Sequence, residues 1–164
     1  MTANSTRNRI RNATPADAET ILTLIKALAD FEQLPPPDPE AQQRLISHAF
    51  GEHPRFEIFL AEVEEVVAGY AFIFETYSTF LARPSLYLED LFVLKEYRGS
   101  KVGYDLFRFC VAEAQKRECG RMEWTALDWN THAQNFYRRM GARHIEEWLP
   151  FRLTREQFGQ ILAD

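Results

Sequence analysis

Residues 86–94 read Leu-Tyr-Leu-Glu-Asp-Leu-Phe-Val-Leu, and after two more residues the segment 97–103 reads Tyr-Arg-Gly-Ser-Lys-Val-Gly. The first segment is typical of a strand that is apolar on both faces. Successive strand residues point to opposite faces, so Glu89 and Asp90 cannot both avoid the layers covering the sheet. Because a buried unpaired carboxylate costs several kcal/mol, we expect a function for at least one of them. The alternatives are a bulge that lets one acid reach water and a structural ion pair with an arginine.

The segment 97–103 has the composition of an anion site between a strand and a helix. Backbone N–H groups and the positive end of the helix dipole point outward from such a loop, and Arg98 and Lys101 add full positive charges. The segment is not a Walker loop, which ends in Gly-Lys-Ser/Thr, and it lacks the three glycines of the dinucleotide fingerprint. A solvated turn is the alternative interpretation.

Working outward from these segments, the pattern predicts an α+β domain with a mixed sheet. Apolar segments rich in β-branched and aromatic residues predict strands, with Glu64 and Glu65 as the turn of a hairpin; they cover 9–13, 56–63, 66–77, 86–94 and 121–127. Helical spacing predicts helices at 15–31, 39–50, 102–118 and 131–140. The third helix is expected to end at Gly120 and to turn one face to the core, with Phe107, Cys110, Val111 and Ala114. One or two short strands and a helical turn complete the prediction.

Length and composition limit the possible classes of protein. The 164 residues, 46% of them apolar, suffice for one domain; we expect a disordered tail at 1–8 and a single domain at 9–164. The formal net charge of -5 argues against nucleic acid as a partner. No apolar run approaches the ~18 residues of a membrane span, and the polar N-terminus is not a signal peptide. We therefore expect a cytoplasmic protein in which Cys110 and Cys119 form no disulfide.

Tyr137 lies beside Phe136 on the helix that Asn130 is expected to cap. An aromatic residue at helical spacing is usually part of the core. A tyrosine hydroxyl that emerges at a cleft is, however, a plausible acid for a departing thiolate. Both interpretations stay open from the residues alone.

These features, in this order, resemble the GNAT N-acetyltransferase superfamily over nearly the whole chain. The loop pattern of that superfamily is [Arg/Gln]-x-x-Gly-x-[Gly/Ala], and residues 98–103 read Arg-Gly-Ser-Lys-Val-Gly. Segments 50–54, 87–90, 97–99, 129–130 and 135–142 narrow the resemblance to the spermidine/spermine acetyltransferase group. Within that group, Tyr-Ser-Thr-Phe at 77–80 and Leu-Asp-Trp-Asn at 127–130 are more similar to the branch that acetylates thialysine and related small amines.

The resemblance implies that acetyl-CoA is the co-substrate and that no metal is needed. Leu91, Phe92 and Val93 of the strand would pair with the pantetheine arm of the cofactor. The loop would hold the pyrophosphate; its residues are Arg98, Gly99, Ser100, Lys101, Val102, Gly103 and Tyr104. Asn130 and Tyr137 would also contact the cofactor. The family normally has glycine where Lys101 stands. If that position requires a positive φ, we expect the loop to rearrange at a cost of roughly 1 kcal/mol, which the ammonium could offset by meeting a phosphate.

The resemblance also implies roles in catalysis and in amine binding. Tyr137 would protonate the leaving thiolate, and Glu89 would take a proton from the incoming ammonium through a water. Residues expected to bind the amine are Phe31, Glu32, Glu89, Asp90, Glu123, Trp124, Thr125 and Trp148. The predicted function is direct acetyl transfer to a small diamine or thialysine-like amino acid by a homodimer. The alternatives are a polyamine acetyltransferase, acetylation of protein amines, and a non-catalytic acyl-CoA-binding module, the last suggested by Lys101.

Overall fold

The structure, a computed structural model, describes residues 8–163, so residues 1–7 of the predicted tail lie outside the described part. The chain divides into two compact units after Thr125. The first unit holds a five-stranded sheet whose strands lie in chain order. The strands are β1 Arg9–Asn12, β2 Glu57–Val63, β3 Val66–Ser78, β4 Arg83–Val93 and β5 Arg121–Glu123. The first four pair antiparallel and β5 pairs parallel to β4, which confirms the mixed sheet.

Three helices of the first unit lie where helical spacing predicts them. They are α1 Ala18–Glu32, α2 Pro39–Phe50 and α3 Val102–Lys116, with single 3-10 turns at Pro15–Asp17 and Lys95–Tyr97. The chain enters α1 through Asp17, whose carboxylate accepts from the Thr14 amide at 2.8 Å and from Arg11 on β1 at 2.8 Å. These bonds hold the pKa of the Asp17 carboxyl far below its usual range, and they tie the first helix to the sheet.

Apolar side chains cover both faces of the sheet. On one face a core cluster joins α1 and α2 to strands β2, β3 and β4; its buried members are Ile21, Leu24, Ala49, Ile58, Leu60, Tyr70, Phe72 and Phe92. The other face receives α3, whose buried residues are Val102, Leu106, Phe107, Cys110 and Ala114. Val111 was expected in this set but is exposed, because it lies 100° around the helix from Cys110.

The β2–β3 hairpin turns at Glu64 and Glu65, as predicted, and both residues have positive φ, 50° and 67°. Two positive φ values in a two-residue turn match the right-handed twist of the strands it joins. Within β3, Gly69 permits a close approach to β4, since a Cβ there would lie 2.4 Å from the carbonyl oxygen of Phe92.

The predicted end of α3 is wrong. The helix ends at Lys116, and the left-handed residue after it is Glu118, with φ 54°, rather than Gly120. Gly120 instead donates its amide to Pro84 at 2.9 Å, and a Cβ there would meet the Leu81 side chain. Glycine at 120 therefore serves the packing of β5 beside β4.

The strand predicted at 121–127 is shorter in the structure, where only Arg121–Glu123 pairs with β4. Pairing stops opposite Tyr87, two residues before a bulge in β4, and a bulge bends its strand away from a neighbour. The shortened strand leaves one edge of β4 without a strand partner among the described residues from Leu88 onward.

The second unit contains α4 Thr131–Arg139 and α5 Arg155–Leu162. Asn130 caps α4 as expected, since its Oδ1 accepts from the Ala133 amide at 3.2 Å. The short strands expected before the C-terminus are not formed by the described residues of this unit, which offer no neighbouring strand to pair with. None of the helices within residues 8–163 has the length and apolar character needed to cross a membrane. The single domain expected at 9–164 stays a prediction.

Candidate active site

A bulge in the middle of β4 positions the two adjacent acids. Leu88 lies opposite Ile73 of β3, and Asp90 lies opposite Phe72, the next residue along β3 in the antiparallel register, so Glu89 is the extra residue. A bulge inserts one residue and shifts the facing of every residue after it. Glu89 is exposed and Asp90 is half-buried, so the predicted bulge exists and lets one acid reach water.

Asp90 is held from the core side by a buried tyrosine on the neighbouring strand. Tyr70 is fully buried in β3 and donates its hydroxyl to Oδ2 of Asp90 at 3.0 Å. Burial raises the pKa of Asp90 to about 6, with the Tyr70 hydrogen bond opposing this rise and the charges of Glu89 and Glu32 adding to it. Burial and the charge of Asp90 also raise the pKa of Tyr70, which keeps it protonated as a donor.

Sequence reasoning missed Tyr70. A tyrosine between Gly69 and Ala71 in an apolar strand must find a hydrogen-bond partner for its hydroxyl once it is buried. The sequence offers two candidates for this hydrogen-bond partner, Glu89 and Asp90 of the neighbouring strand β4. Only the pairing register of β3 and β4 selects Asp90, and the bulge decides that register.

Glu32 brings a third carboxylate to the same place. It is the last residue of α1 and is half-buried, and this burial raises its pKa. Its charge contributes to the raised pKa values of Asp90 and Tyr70. The preceding residue, Phe31, packs against Phe92 of β4 with ring centroids 6.4 Å apart. The structure thus brings together the predicted amine-binding residues of α1 and β4.

The three carboxylates have no cationic partner within residues 8–163. Neither Glu32, Glu89 nor Asp90 takes part in a salt bridge there, although other acids such as Asp17, Glu57 and Glu113 do. Uncompensated negative charge at a half-buried site favours a cation from outside the chain. The arrangement can therefore bind an ammonium group and offers oxygen atoms that can accept its proton.

The predicted anion loop runs from Arg98 into the start of α3. Residues 98–101 are exposed, and the first N–H groups of the helix, from Val102 onward, have no intrahelical acceptor. Lys101, the N-cap residue, has φ 68° and ψ 2°. The position does require positive φ, and Lys101 adopts it, so the expected rearrangement of the loop is wrong. The strain is instead borne at Lys101 itself.

The free edge of β4 and the start of α3 fit a bound acetyl-CoA. The edge of β4 from Leu88 to Val93 has no strand partner among the described residues, and such an edge can pair with an amide-bearing chain. The start of α3, with Lys101 beside it, supplies N–H groups and positive charge for phosphates. Leu91, Phe92 and Val93 and the loop residues lie at these places. Arg98 is also engaged within the protein, since its Nε donates to the Val93 carbonyl at 3.0 Å.

Not all predicted amine-binding residues join this group. Glu123 forms an ion pair with Arg121 at 3.1 Å, and Trp124 packs edge-on against Phe107 of α3 at 5.4 Å. Thr125 is exposed. The structure places Trp124 against α3, whereas the carboxylates belong to the face covered by α1.

Tyr137, Asn130 and Trp148 belong to the second unit. Tyr137 is half-buried on α4 and its ring lies 5.4 Å from that of Phe136. Trp148 is exposed. The roles predicted for these residues stay predictions.

A cavity of about 350 Å³ lies apart from the carboxylates, at the ends of β2, β3 and α3. Its charged lining is centred on Arg117, which bonds to Glu57 at 2.6 Å, to Glu113 at 2.9 Å and to Glu75 at 3.3 Å. Because three carboxylates already surround this arginine, its charge ties α3 to the sheet and is not available to an anionic ligand.

Comparison with known proteins gives concordant findings. A family model described as Acetyltransferase (GNAT) family matches residues 23–142. A thialysine N-epsilon-acetyltransferase of Mus musculus is 32% identical, over 93% of this chain and 96% of its own. An L-ornithine N5-acetyltransferase of Arabidopsis thaliana is 31% identical, over 90% and 84%. Among solved structures, an integron cassette protein from the mobile metagenome of V. cholerae is similar in fold, with TM-score 0.79, 22% identity and coverage of 96% and 98%.

Replacing Asp90 by asparagine should stabilise the protein at alkaline pH while impairing its activity. The raised pKa of Asp90, about 6, means that its carboxyl is protonated more readily in the native state than in the unfolded chain. Ionisation of Asp90 therefore costs no stability below pH ~4. The cost grows between pH ~4 and ~6 and is constant at higher pH. Asp90→Asn should gain about 2–3 kcal/mol at pH 8 and nothing at pH 4, measured by urea unfolding at both values.

Tyr70→Phe is the matched control for that measurement. The Tyr70 hydrogen bond lowers the pKa of Asp90, so its loss should raise that pKa and move the stability change to higher pH. An Asp90→Asn gain of equal size at pH 4 and pH 8 would contradict the assignment of the buried charge.

Lys101→Gly should raise the free energy of unfolding by about 1 kcal/mol, because glycine adopts positive φ without a Cβ clash. Lys101→Ala keeps the Cβ and should not, so the pair separates backbone strain from charge. Both variants remove the Lys101 ammonium. We therefore expect both to lose the same affinity for acetyl-CoA in calorimetry, and this loss measures the contribution of the ammonium to cofactor binding. Equal stability of the two variants would refute the strain at this residue.

Proposed function

The chain belongs to the GNAT acetyltransferase family, whose reaction is acetyl transfer from acetyl-CoA, and we propose that its acceptor is a small diamine or thialysine-like amino acid. The observation that carries this proposal is the group of three carboxylates, Glu32, Glu89 and Asp90, without a cationic partner in residues 8–163. A small molecule with two charged groups, one amine to react and one further cation or ammonium to bind, suits this surplus of negative charge.

The size of the acceptor is argued from sequence and relatives together. Residues 77–80, Tyr-Ser-Thr-Phe, have the pattern that the resemblance associates with the branch acetylating thialysine and related small amines. Two relatives that match over most of both chains are named for thialysine and ornithine, which are short amines, whereas a relative named for spermidine/spermine is matched over 91% of this chain but only 23% of its own length. Short diamines and diamino acids are therefore the preferred substrates in this proposal, and long polyamines are the second candidate.

In this proposal, acetyl-CoA binds along the edge of β4 and at the N-terminus of α3. Acetyl-CoA supplies the acetyl group as a thioester, the activated form that an amine can attack directly. Residues 91–93 of β4 offer backbone groups to its amide-bearing arm, and the amides of residues 99–104 face its phosphates together with the charge of Lys101. Holding the acyl donor along a strand edge fixes its orientation relative to the amine.

Proton transfer falls to the carboxylates and to Tyr137. An ammonium has no lone pair, and the negative charges that attract it also favour its protonated form, so a proton acceptor is required. Glu89, exposed at the bulge, takes this proton through a water, while Asp90 and Glu32 hold the cation. Following the family resemblance, Tyr137 donates its hydroxyl proton to the leaving sulfur. The amine nitrogen attacks the thioester carbon without an acyl-enzyme.

We further propose a cytoplasmic homodimer. Cys110 and Cys119 are both free thiols, as in a reducing compartment. The C-terminal segment exposes apolar side chains that a partner could cover; they are Ile145, Trp148, Leu149, Phe151, Leu153, Phe158, Ile161 and Leu162. Sedimentation equilibrium should give twice the mass of one 19.2 kDa chain, and a monomer at micromolar concentration would contradict the dimer.

The function is tested by acetyl-CoA turnover on a panel of amines. The panel contains thialysine, lysine, ornithine, diaminopropane, spermidine, spermine, an aminoglycoside and a lysine-containing peptide. We expect kcat/KM for the short amines to exceed that for spermidine at least tenfold. Tyr137→Phe should lower kcat by about 100-fold with an unchanged dissociation constant for acetyl-CoA.

Each other result of this panel identifies a different function. Turnover that is highest on spermidine or spermine selects the polyamine alternative, and turnover on the peptide alone selects a protein acetyltransferase. Calorimetric binding of acetyl-CoA with no turnover on any amine, and no effect of Tyr137→Phe, would leave a non-catalytic acyl-CoA-binding module.

A further inference from the structure

Arg98, the first residue of the anion loop, directs its guanidinium back onto the protein. Its Nε donates to the carbonyl of Val93 at 3.0 Å. The guanidinium carbon lies 4.9 Å from the ring centroid of Phe31 and 5.6 Å from that of Phe92. Both distances are within the range of a cation–π contact. One arginine therefore touches the end of β4, a ring on α1 and the loop to which it belongs.

The two rings lie next to the carboxylates that are proposed to bind the amine. Phe31 immediately precedes Glu32 at the end of α1. Phe92 is two residues beyond Asp90, and both face the core cluster, since they lie opposite Tyr70 and Phe72 of β3. Arg98 thus contacts both α1 and β4, the two elements that hold the three carboxylates, although Arg98 itself belongs to the predicted anion loop.

We propose that Arg98 is a positioning residue that couples the loop of residues 98–104 to the amine-binding end of α1 through its contact with Phe31. Ordering of the loop by an anion fixes Arg98, Arg98 fixes Phe31, and Phe31 fixes the adjacent Glu32. Acetyl-CoA binding and amine binding then strengthen each other, because coupling between two sites is reciprocal. The inference rests on the proposed function only in taking the end of α1 as the amine site.

A purely electrostatic role at the phosphates predicts a different pattern. An arginine that only neutralised a phosphate would affect the dissociation constant of acetyl-CoA and not that of the amine. Its effect would also be independent of Phe31, which lies on another element. The two roles are therefore distinguished by which ligand responds and by whether the effects of Arg98 and Phe31 multiply.

The test is a double-mutant cycle of Arg98→Gln and Phe31→Leu, which remove the cation and the aromatic face while keeping side-chain bulk. The readouts are the calorimetric dissociation constant of CoA and the KM of the best amine at saturating acetyl-CoA. Each single variant should raise the amine KM threefold to tenfold, as expected for a cation–π contact. The double variant should be no worse than the weaker-binding single variant. Arg98→Lys should recover part of the loss, since it restores a cation.

Lys101→Gln is the matched control, because it removes a charge from the same loop at the N-cap residue of α3, whereas the cation–π contact with Phe31 is made by Arg98. It should change the CoA dissociation constant with no change in the amine KM, and its effect should multiply with that of Phe31→Leu. Circular dichroism and thermal melts confirm that each variant is folded.

Effects of Arg98→Gln and Phe31→Leu on the amine KM that multiply to within twofold would overturn the proposal. If no amine of the panel is turned over, the proposed function fails, and the coupling is decided by CoA alone. Phe31→Leu should then weaken CoA binding when Arg98 is present and leave it unchanged in the Arg98→Gln background. Equal effects of Phe31→Leu in both backgrounds would exclude the coupling.

Discussion

Glu89 is the extra residue of the bulge between β3 and β4, and it decides which face every later residue of β4 occupies. In an uninterrupted register Asp90 would lie opposite Ala71 and point into the layer filled by α3, where its charge would be buried among apolar side chains. The bulge turns Asp90 instead toward Tyr70 and the end of α1. It also coincides with the loss of pairing to β5, which leaves that edge of β4 without a strand partner among residues 8–163.

The acidic group that results is costly to the fold. Glu32 and Asp90 are half-buried, and burial raises the pKa of both. The buried hydroxyl of Tyr70 offsets part of this cost by donating to Asp90, whereas no lysine or arginine of the described chain pairs with any of the three acids. A site kept negative at the expense of stability is the expected arrangement where a cationic substrate supplies the missing charge.

Backbone strain at Lys101, near the end of the segment that runs from β4 to α3, has a similar explanation, namely ligand binding. Lys101 adopts a left-handed conformation that glycine would adopt without strain, and it does so where the start of α3 presents its free N–H groups. The β4–loop–α3 segment therefore carries two of the three acids, Glu89 and Asp90, together with the predicted anion site. Arg98 is well placed to connect them, because it lies between the end of β4 and the start of α3 and touches a ring on α1.

The sequence by itself determined the elements and the chemistry. The spacing of apolar residues located α1, α2, α3 and the β2–β3 hairpin, because such spacing is a local pattern. The pair Glu89–Asp90, the loop at 98–103 and Tyr137 identified the reaction class through the family resemblance that they carry. The extent of β5, the residue that ends α3 and the partner of Asp90 were not readable in this way. The partner of Asp90 depends on the pairing register of β4, which the bulge residue sets, and the extent of β5 and the end of α3 depend on how β5 packs beside β4. Register and packing are properties of strands that meet only in the folded chain.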